Sequence, residues 1–170
     1  MPEPGRLVVV NTTPLITLAV ADQFTLLQHL YLQIVIPPAV QTEVLAGGAN
    51  GVGVRELQAA SWIQVMPLQG PGRADLLTDL DRGEAEVLAL AQELGAGLVV
   101  IDERLARRHA RHLGLPLTGT LGVLLRAKQL QFIPAIQPLV AAIQAGGIWL
   151  SDALVAEALA LAGEAGGFLG

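Results

Sequence analysis

Three carboxylates and one amide stand where chemistry could gather in this chain: Asn11, Glu43, Glu84 and Asp102. Asn11 and Asp102 each follow a short apolar run, Leu7-Val8-Val9-Val10 and Leu98-Val99-Val100-Ile101, of the kind that makes a strand buried on both faces. Glu43 lies in a helical stretch after Ile34-Val35-Ile36, and Glu84 precedes Val87, Leu88 and Ala91 at helical spacing. That spacing puts Glu84 on the inward edge of the apolar stripe, with Glu86 and Glu93 towards the polar side. Ligands of open α/β sheets bind beyond the carboxyl ends of the strands, so the four positions are expected to converge on one site. Clustered carboxylates repel one another unless protonated or bound to cations, and oxygen-only donors suit Mg²⁺ or Mn²⁺. The chemistry expected is metal-assisted phosphoryl transfer, in which the cation polarises a phosphate and activates water.

Each residue also has a plain structural use. Asn11 suits a bond to the turn that follows it. Glu43 suits a solvated helix face, Glu84 the first turn of a helix, and Asp102 the cap of a helix opening at Glu103. Taken singly these readings compete evenly or better with the chemical one. Together they leave unexplained why acids recur where an α/β sheet gathers its site.

The elements that must position these residues can be read from punctuation and period. Strands are expected over 7–10, 34–36, 62–66 and 98–101, with an edge strand at Leu115-Pro116-Leu117 because proline cannot complete a central ladder. Thr12 or Thr13 before Pro14 reads as a helix N-cap, and the helical pattern breaks near Asp22. Pro37-Pro38 opens a helix that Gly47-Gly48 closes; a glycine-rich loop covers 46–53, a short helix 54–60, and another loop 67–72. Asp81 to Leu94 is the clearest helix, with Gly95 as its C-cap, and further helices are expected over 103–113, 120–128, 134–145 and 151–162, the last with Ser151 and Asp152 at its start. Strands alternating with helices predict a three-layer α/β/α architecture with a central parallel sheet and C-terminal helices. A single domain over 1–170 is expected, with its core over 6–130 and a helical extension over 134–163.

With no cysteine among 170 residues, thiol nucleophiles, cysteine-bound zinc and iron–sulfur clusters are excluded. No run approaches the ~18–20 apolar residues of a membrane span, and residues 1–5 show no signal-peptide pattern, so a cytoplasmic protein is expected. A net charge of −5 argues against general attraction to phosphate. Local charge differs: Arg104, Arg107, Arg108 and Arg111 share one helical stripe, suited either to a solvated face or to RNA phosphates without base readout. Thr118-Gly119-Thr120 could offer a hydroxyl and backbone amides to a phosphate, or simply cap a helix. Trp62 and Trp149 suit core or interface positions, and the histidines lack ligand-like partners.

These residues carry a resemblance. Asn11-x-Thr13, Glu43 in Ala39-Val40-Gln41-Thr42-Glu43-Val44, Gly83-Glu84-Ala85-Glu86-Val87 and Asp102 after its apolar run resemble the acidic motifs of PIN domains, the VapC-like ribonuclease fold. Asn11-Thr12-Thr13-Pro14-Leu15-Ile16, Asp81-Arg82-Gly83-Glu84-Ala85-Glu86 and Thr118-Gly119-Thr120-Leu121-Gly122-Val123-Leu124 resemble one prokaryotic branch of it, and the likeness spans nearly the whole chain. It implies a Mg²⁺- or Mn²⁺-dependent ribonuclease, and for many such proteins a toxin that forms a homodimer and is silenced by a small antitoxin. Carried over, Glu43, Glu84 and Asp102 are metal-binding acids, Asn11 takes the place of the first acid, and Thr13 is the hydroxyl that supports it. Most PIN nucleases have Asp where Asn11 stands, and an amide lacks a carboxylate's charge and basicity. A catalytically silent module that binds RNA or a partner is therefore the rival expectation. A receiver- or phosphatase-like domain fits less well, because the first strand ends without an aspartate nucleophile.

Overall fold

A computed structural model describes residues 6–48 and 50–165; residues 1–5, read above for a signal peptide, and Ala49 in the glycine-rich loop lie outside the described residues. Its centre is one parallel sheet of β1 (Val8–Val10), β2 (Ile34–Ile36), β3 (Ile63–Val65), β4 (Leu98–Val100) and β5 (Leu117–Thr118), in the order β3-β2-β1-β4-β5. The apolar runs form β1, β2 and β4 because these strands have no wet face: all nine of their residues are buried. Val8 pairs with Ile34 on one side and Leu98 on the other. The edge position expected for the proline-flanked strand is where β5 lies.

From β1 the chain steps outward to β2 and β3, then returns to the other side of β1 for β4 and β5. Right-handed crossovers in opposite directions send their helices to opposite faces, giving three layers, with the topological switch between β1 and β4. The helices are α1 (Thr12–Val20), α2 (Leu26–Tyr31), α3 (Pro38–Leu45), α4 (Val54–Ala59), α5 (Gly72–Asp75), α6 (Arg82–Leu94), α7 (Arg104–His112), α8 (Thr120–Gln129), α9 (Gln137–Ala145) and α10 (Asp152–Leu161). α6 packs on β1, β4 and α7, while α8 packs on α1 and α2, and α3 meets both α1 and α6. One hydrophobic cluster runs from Val8 to Leu159, so the C-terminal helices share the core of the sheet. No helix among the described residues is long and apolar enough to cross a membrane.

Three local expectations need correction. The N-cap of α1 is Asn11, and neither Thr12 nor Thr13, which puts Pro14 at the third helical position; a proline there loses only an amide that would lack a helical partner anyway. Beyond the expected loop, the chain forms α5, which packs on α6; there Ala74 joins Ala85 and Ala89, flanked by Leu68, Leu77 and Leu80. α6 is thereby buried well beyond a single stripe, and Glu86, read as polar-facing, is only 9% exposed, its carboxylate 3.2 Å from Arg82 Nε one turn back. Glu93 does face outward, but it accepts the amides of Gln69 and Gly70 and so holds the preceding loop.

The chain closes on a clasp. Lys128 of α8 donates to the Ala162 carbonyl and, at 3.0 Å, to Glu164, whose two oxygens also accept the amides of Ile136 and Gln137 at the start of α9. α10 buries Ala158 and Leu159 but leaves Leu154 and Leu161 55% and 70% exposed, so only one side of it joins the core. Trp62 packs against Phe24 as a core residue would, whereas Trp149 is 84% exposed.

Candidate active site

The parallel sheet delivers Asn11 and Asp102 past the carboxyl ends of adjacent strands, and the Asn11 amide continues the ladder by donating to the Val100 carbonyl at 3.0 Å. The Asn11 side chain is 3% exposed, makes no capping bond, and leaves Oδ1 buried without a partner. The turn-bonding role open to it in sequence is thus not the one it plays. An unsatisfied buried carbonyl costs about 1–3 kcal/mol, so the position is held at some expense.

The first turn of α1 reaches two acids. Thr12 Oγ1 donates to Glu43 Oε2 at 2.6 Å, and Thr13 Oγ1 to Glu103 Oε1 at 3.2 Å. Thr13 therefore supports Glu103, and the support expected for Asn11 is not made. Glu84 closes a capping box on α6: its amide donates to Asp81 Oδ1 at 2.8 Å and its Oε2 accepts the Asp81 amide at 3.2 Å. Burial, then the carboxylate of Asp81, and further those of Glu103 and Glu43, push the Glu84 carboxyl above its ordinary range, outweighing the bond from the Asp81 amide. Glu84 thus feels the charges of both Glu43 and Glu103.

Asp102 is held separately. Its Oδ1 accepts the Thr120 amide at 2.7 Å and its Oδ2 the Thr120 hydroxyl at 2.6 Å, so it caps α8 and not the helix that follows it. Arg107 runs alongside, with Nη1 donating to the Ile101 carbonyl at 2.8 Å; burial and the nearby Arg111 lower its pKa against the pull of Asp102. Two of the groups considered for RNA phosphates are consequently spent within the protein: Arg107, and Thr120, whose donors both face Asp102. Thr118 Oγ1 sits against Gly122, where a β-carbon would overlap it. Arg104, Arg108 and Arg111 remain exposed on α7. His109 pairs with Asp79 at 2.9 Å and His29 stacks on Phe132, and neither approaches these acids in any bond described.

The four expected positions thus come to one end of the sheet, but in two groups, and among the described residues no three Asp, Glu or His side chains gather closely enough to enclose a metal ion. As a donor set they suit a hard divalent cation: hard oxygens, an excess of negative charge, and in Asn11 Oδ1 an oxygen with no other use. Enclosing one would require carboxylates such as Glu84 to turn away from their present bonds. Glu103 and Thr12 were missed in sequence, where Glu103 reads only as the start of a helix. Its signal was adjacency to Asp102 at a strand end.

A family model described as a PIN domain matches residues 7–164. No curated protein matches the chain.

Proposed function

This chain belongs to the PIN-domain family, and from that membership together with its acidic site we propose that it hydrolyses RNA phosphodiester bonds with Mg²⁺ or Mn²⁺. PIN domains as a class act on nucleic acid and use divalent metals. The observation that supports the reading here is the buried Asn11 Oδ1, an oxygen without a partner beyond the end of β1, together with Glu84, whose carboxyl is raised by burial and by the charges of Asp81, Glu103 and Glu43 that a divalent cation would offset. Glu43, Glu84 and Asp102 would hold the ion, with Asn11 Oδ1 as a neutral ligand and Glu103 adding charge. When bound, the cation supplies positive charge against the developing negative oxygens of the phosphodiester and lowers the pKa of the attacking water. The chain's own work is positioning: Thr12 orients Glu43, Thr13 orients Glu103, Thr120 fixes Asp102, and Arg104, Arg108 and Arg111 receive backbone phosphates. A toxin role would add a homodimer and a silencing antitoxin, for which the solution mass and co-purification with a small neighbouring-gene product are the tests.

A second reading, a PIN module that binds RNA or a partner without cleaving, is favoured by Asp102, both of whose oxygens are already bonded, and by the neutral Asn11. Mn²⁺ titration calorimetry and RNA cleavage on the wild type and on Asn11→Asp separate the two. The nuclease reading expects metal binding and turnover in the wild type, with affinity raised about tenfold by the added charge. Cleavage by Asn11→Asp alone would establish the silent module, and metal binding by neither folded protein would remove the catalytic reading.

A further inference from the structure

Glycine weakens a helix relative to alanine, so one in a first turn calls for a reason. Gly83 is the second residue of α6, and its backbone is outside the left-handed region where glycine is favoured. What its bare Cα provides is room. A β-carbon there would overlap the Glu43 carboxylate, falling 2.8 Å from its carboxyl carbon and 3.1 Å from Oε2. Gly119, just before α8, repeats the arrangement in an extended conformation open to any residue. A β-carbon there would come within 2.6 Å of Asp102 Oδ1 and 3.1 Å of Arg107 Nη1. Two of the acids in the site, Glu43 and Asp102, therefore press against glycines at the heads of helices, where free amides favour negative charge.

Resting on the reading of the site as that of a divalent-cation nuclease, we infer that Gly83 and Gly119 are positioning residues, which leave the volume in which the carboxylates of Glu43 and Asp102 are held. The two differ in what a methyl group would do. At position 83 the obstacle is the tip of a flexible side chain, so Glu43 would swing aside, losing its bond to Thr12 while the backbone stays in place. At position 119 the obstacle is a short side chain clamped twice by Thr120, which could not move without giving up both bonds. Gly83→Ala is accordingly the sharper test, since it moves an acid and spares the fold.

The experiment places Gly83→Ala in the full chain in three backgrounds, wild type, Glu43→Ala and Glu43→Asp, and reads the metal-free melting temperature and Mn²⁺ affinity by calorimetry. In the wild type the substitution is expected to weaken Mn²⁺ binding by about tenfold or more, the usual effect of losing the support of a ligand. With Glu43→Ala, where nothing obstructs the methyl group, the same substitution raises the melting temperature, reversing or exceeding its effect in the wild type. With Glu43→Asp, whose carboxylate is withdrawn by one methylene, it leaves Mn²⁺ affinity nearly unchanged. Where the wild type binds Mn²⁺, an unaltered affinity in the Gly83→Ala single variant overturns the proposal, and in every case so does the same melting shift with and without the Glu43 carboxylate. A wild type that binds no Mn²⁺, with the melting shift still dependent on Glu43, supports the placement of Glu43 by Gly83 and overturns the nuclease reading alone.

Discussion

Glu84 serves two masters: it closes the capping box that starts α6, and it stands among carboxylates that resist its charge. Glu84→Gln keeps an acceptor for the Asp81 amide, since a capping box accepts either side chain, while it removes the repulsion. A carboxyl whose folded pKa is raised contributes stability that is full below its unfolded value and is lost as pH rises through the folded one. Glu84→Gln is therefore expected to be more stable than wild type at neutral pH, by about 0.5 kcal/mol after solvent screening of this half-buried group, with the difference vanishing on acidification. Denaturant melts at both pH values check it, and Mn²⁺ affinity should fall in the same variant. Thr120→Val probes the other group: it strips one of the two bonds to Asp102 without changing side-chain shape, and is expected to cost about 1–3 kcal/mol because a bond to a charged oxygen is lost. At Asn11 the cost is already present in the wild type, and a buried carboxylate there is expected to lower the metal-free melting temperature of Asn11→Asp and return it when Mn²⁺ is added.

The helix α7 looks uniform in sequence, four arginines on one stripe, yet its members differ in task. Arg104, Arg108 and Arg111 are exposed, while Arg107 is tied to the Ile101 carbonyl. Replacing the three exposed arginines by alanine should weaken RNA binding and flatten its salt dependence by about 0.7 in slope for each single-strand phosphate no longer neutralised, with little change in melting temperature. Arg107→Ala should instead lower the melting temperature, and salt-titrated RNA binding beside thermal melts distinguishes the two. The same contrast shows what the sequence could tell. Apolar runs, prolines and Gly95, whose φ of 60° fits a left-handed cap, located strands and helices to within a few residues because those signals are local. The pairing of Thr13 with Glu103 joins residues distant in the chain, the burial of Glu86 follows from how α6 packs, and the diversion of Arg107 depends on how α7 lies against the end of β4; no local period reports on any of these. Asn11 and Asp102 were legible as neighbours from the strand ends that precede them, and Glu43 and Glu84 only from their helices; that Thr120 holds both oxygens of Asp102 was not legible.

For the molecule as a whole, the C-terminal helices are held by the clasp of Lys128 and Glu164 as well as by the core. Burial pushes the Glu164 carboxyl up, but the amides of Ile136 and Gln137 and the Lys128 ammonium outweigh it and hold it below the usual carboxylate range. The stability such a depressed group contributes is present above its unfolded pKa and is lost as pH falls through the folded one, so acid should loosen α10. Glu164→Ala is expected to cost about 1–3 kcal/mol at neutral pH and nothing in strong acid, with hydrogen exchange accelerating first in α9 and α10. The strand order carries a different consequence, one of timing. β1 lies between β2 and β4, and β4 is synthesised only after α6. A growing chain halted before that point has one edge of its first strand unpaired and lacks Asp102 and Glu103 altogether. Pairing strands so distant in sequence is slow and comes late, so Asp102 and Glu103 reach the end of β1 only when β4 pairs with it, and Thr120, which fixes Asp102, arrives later still with α8.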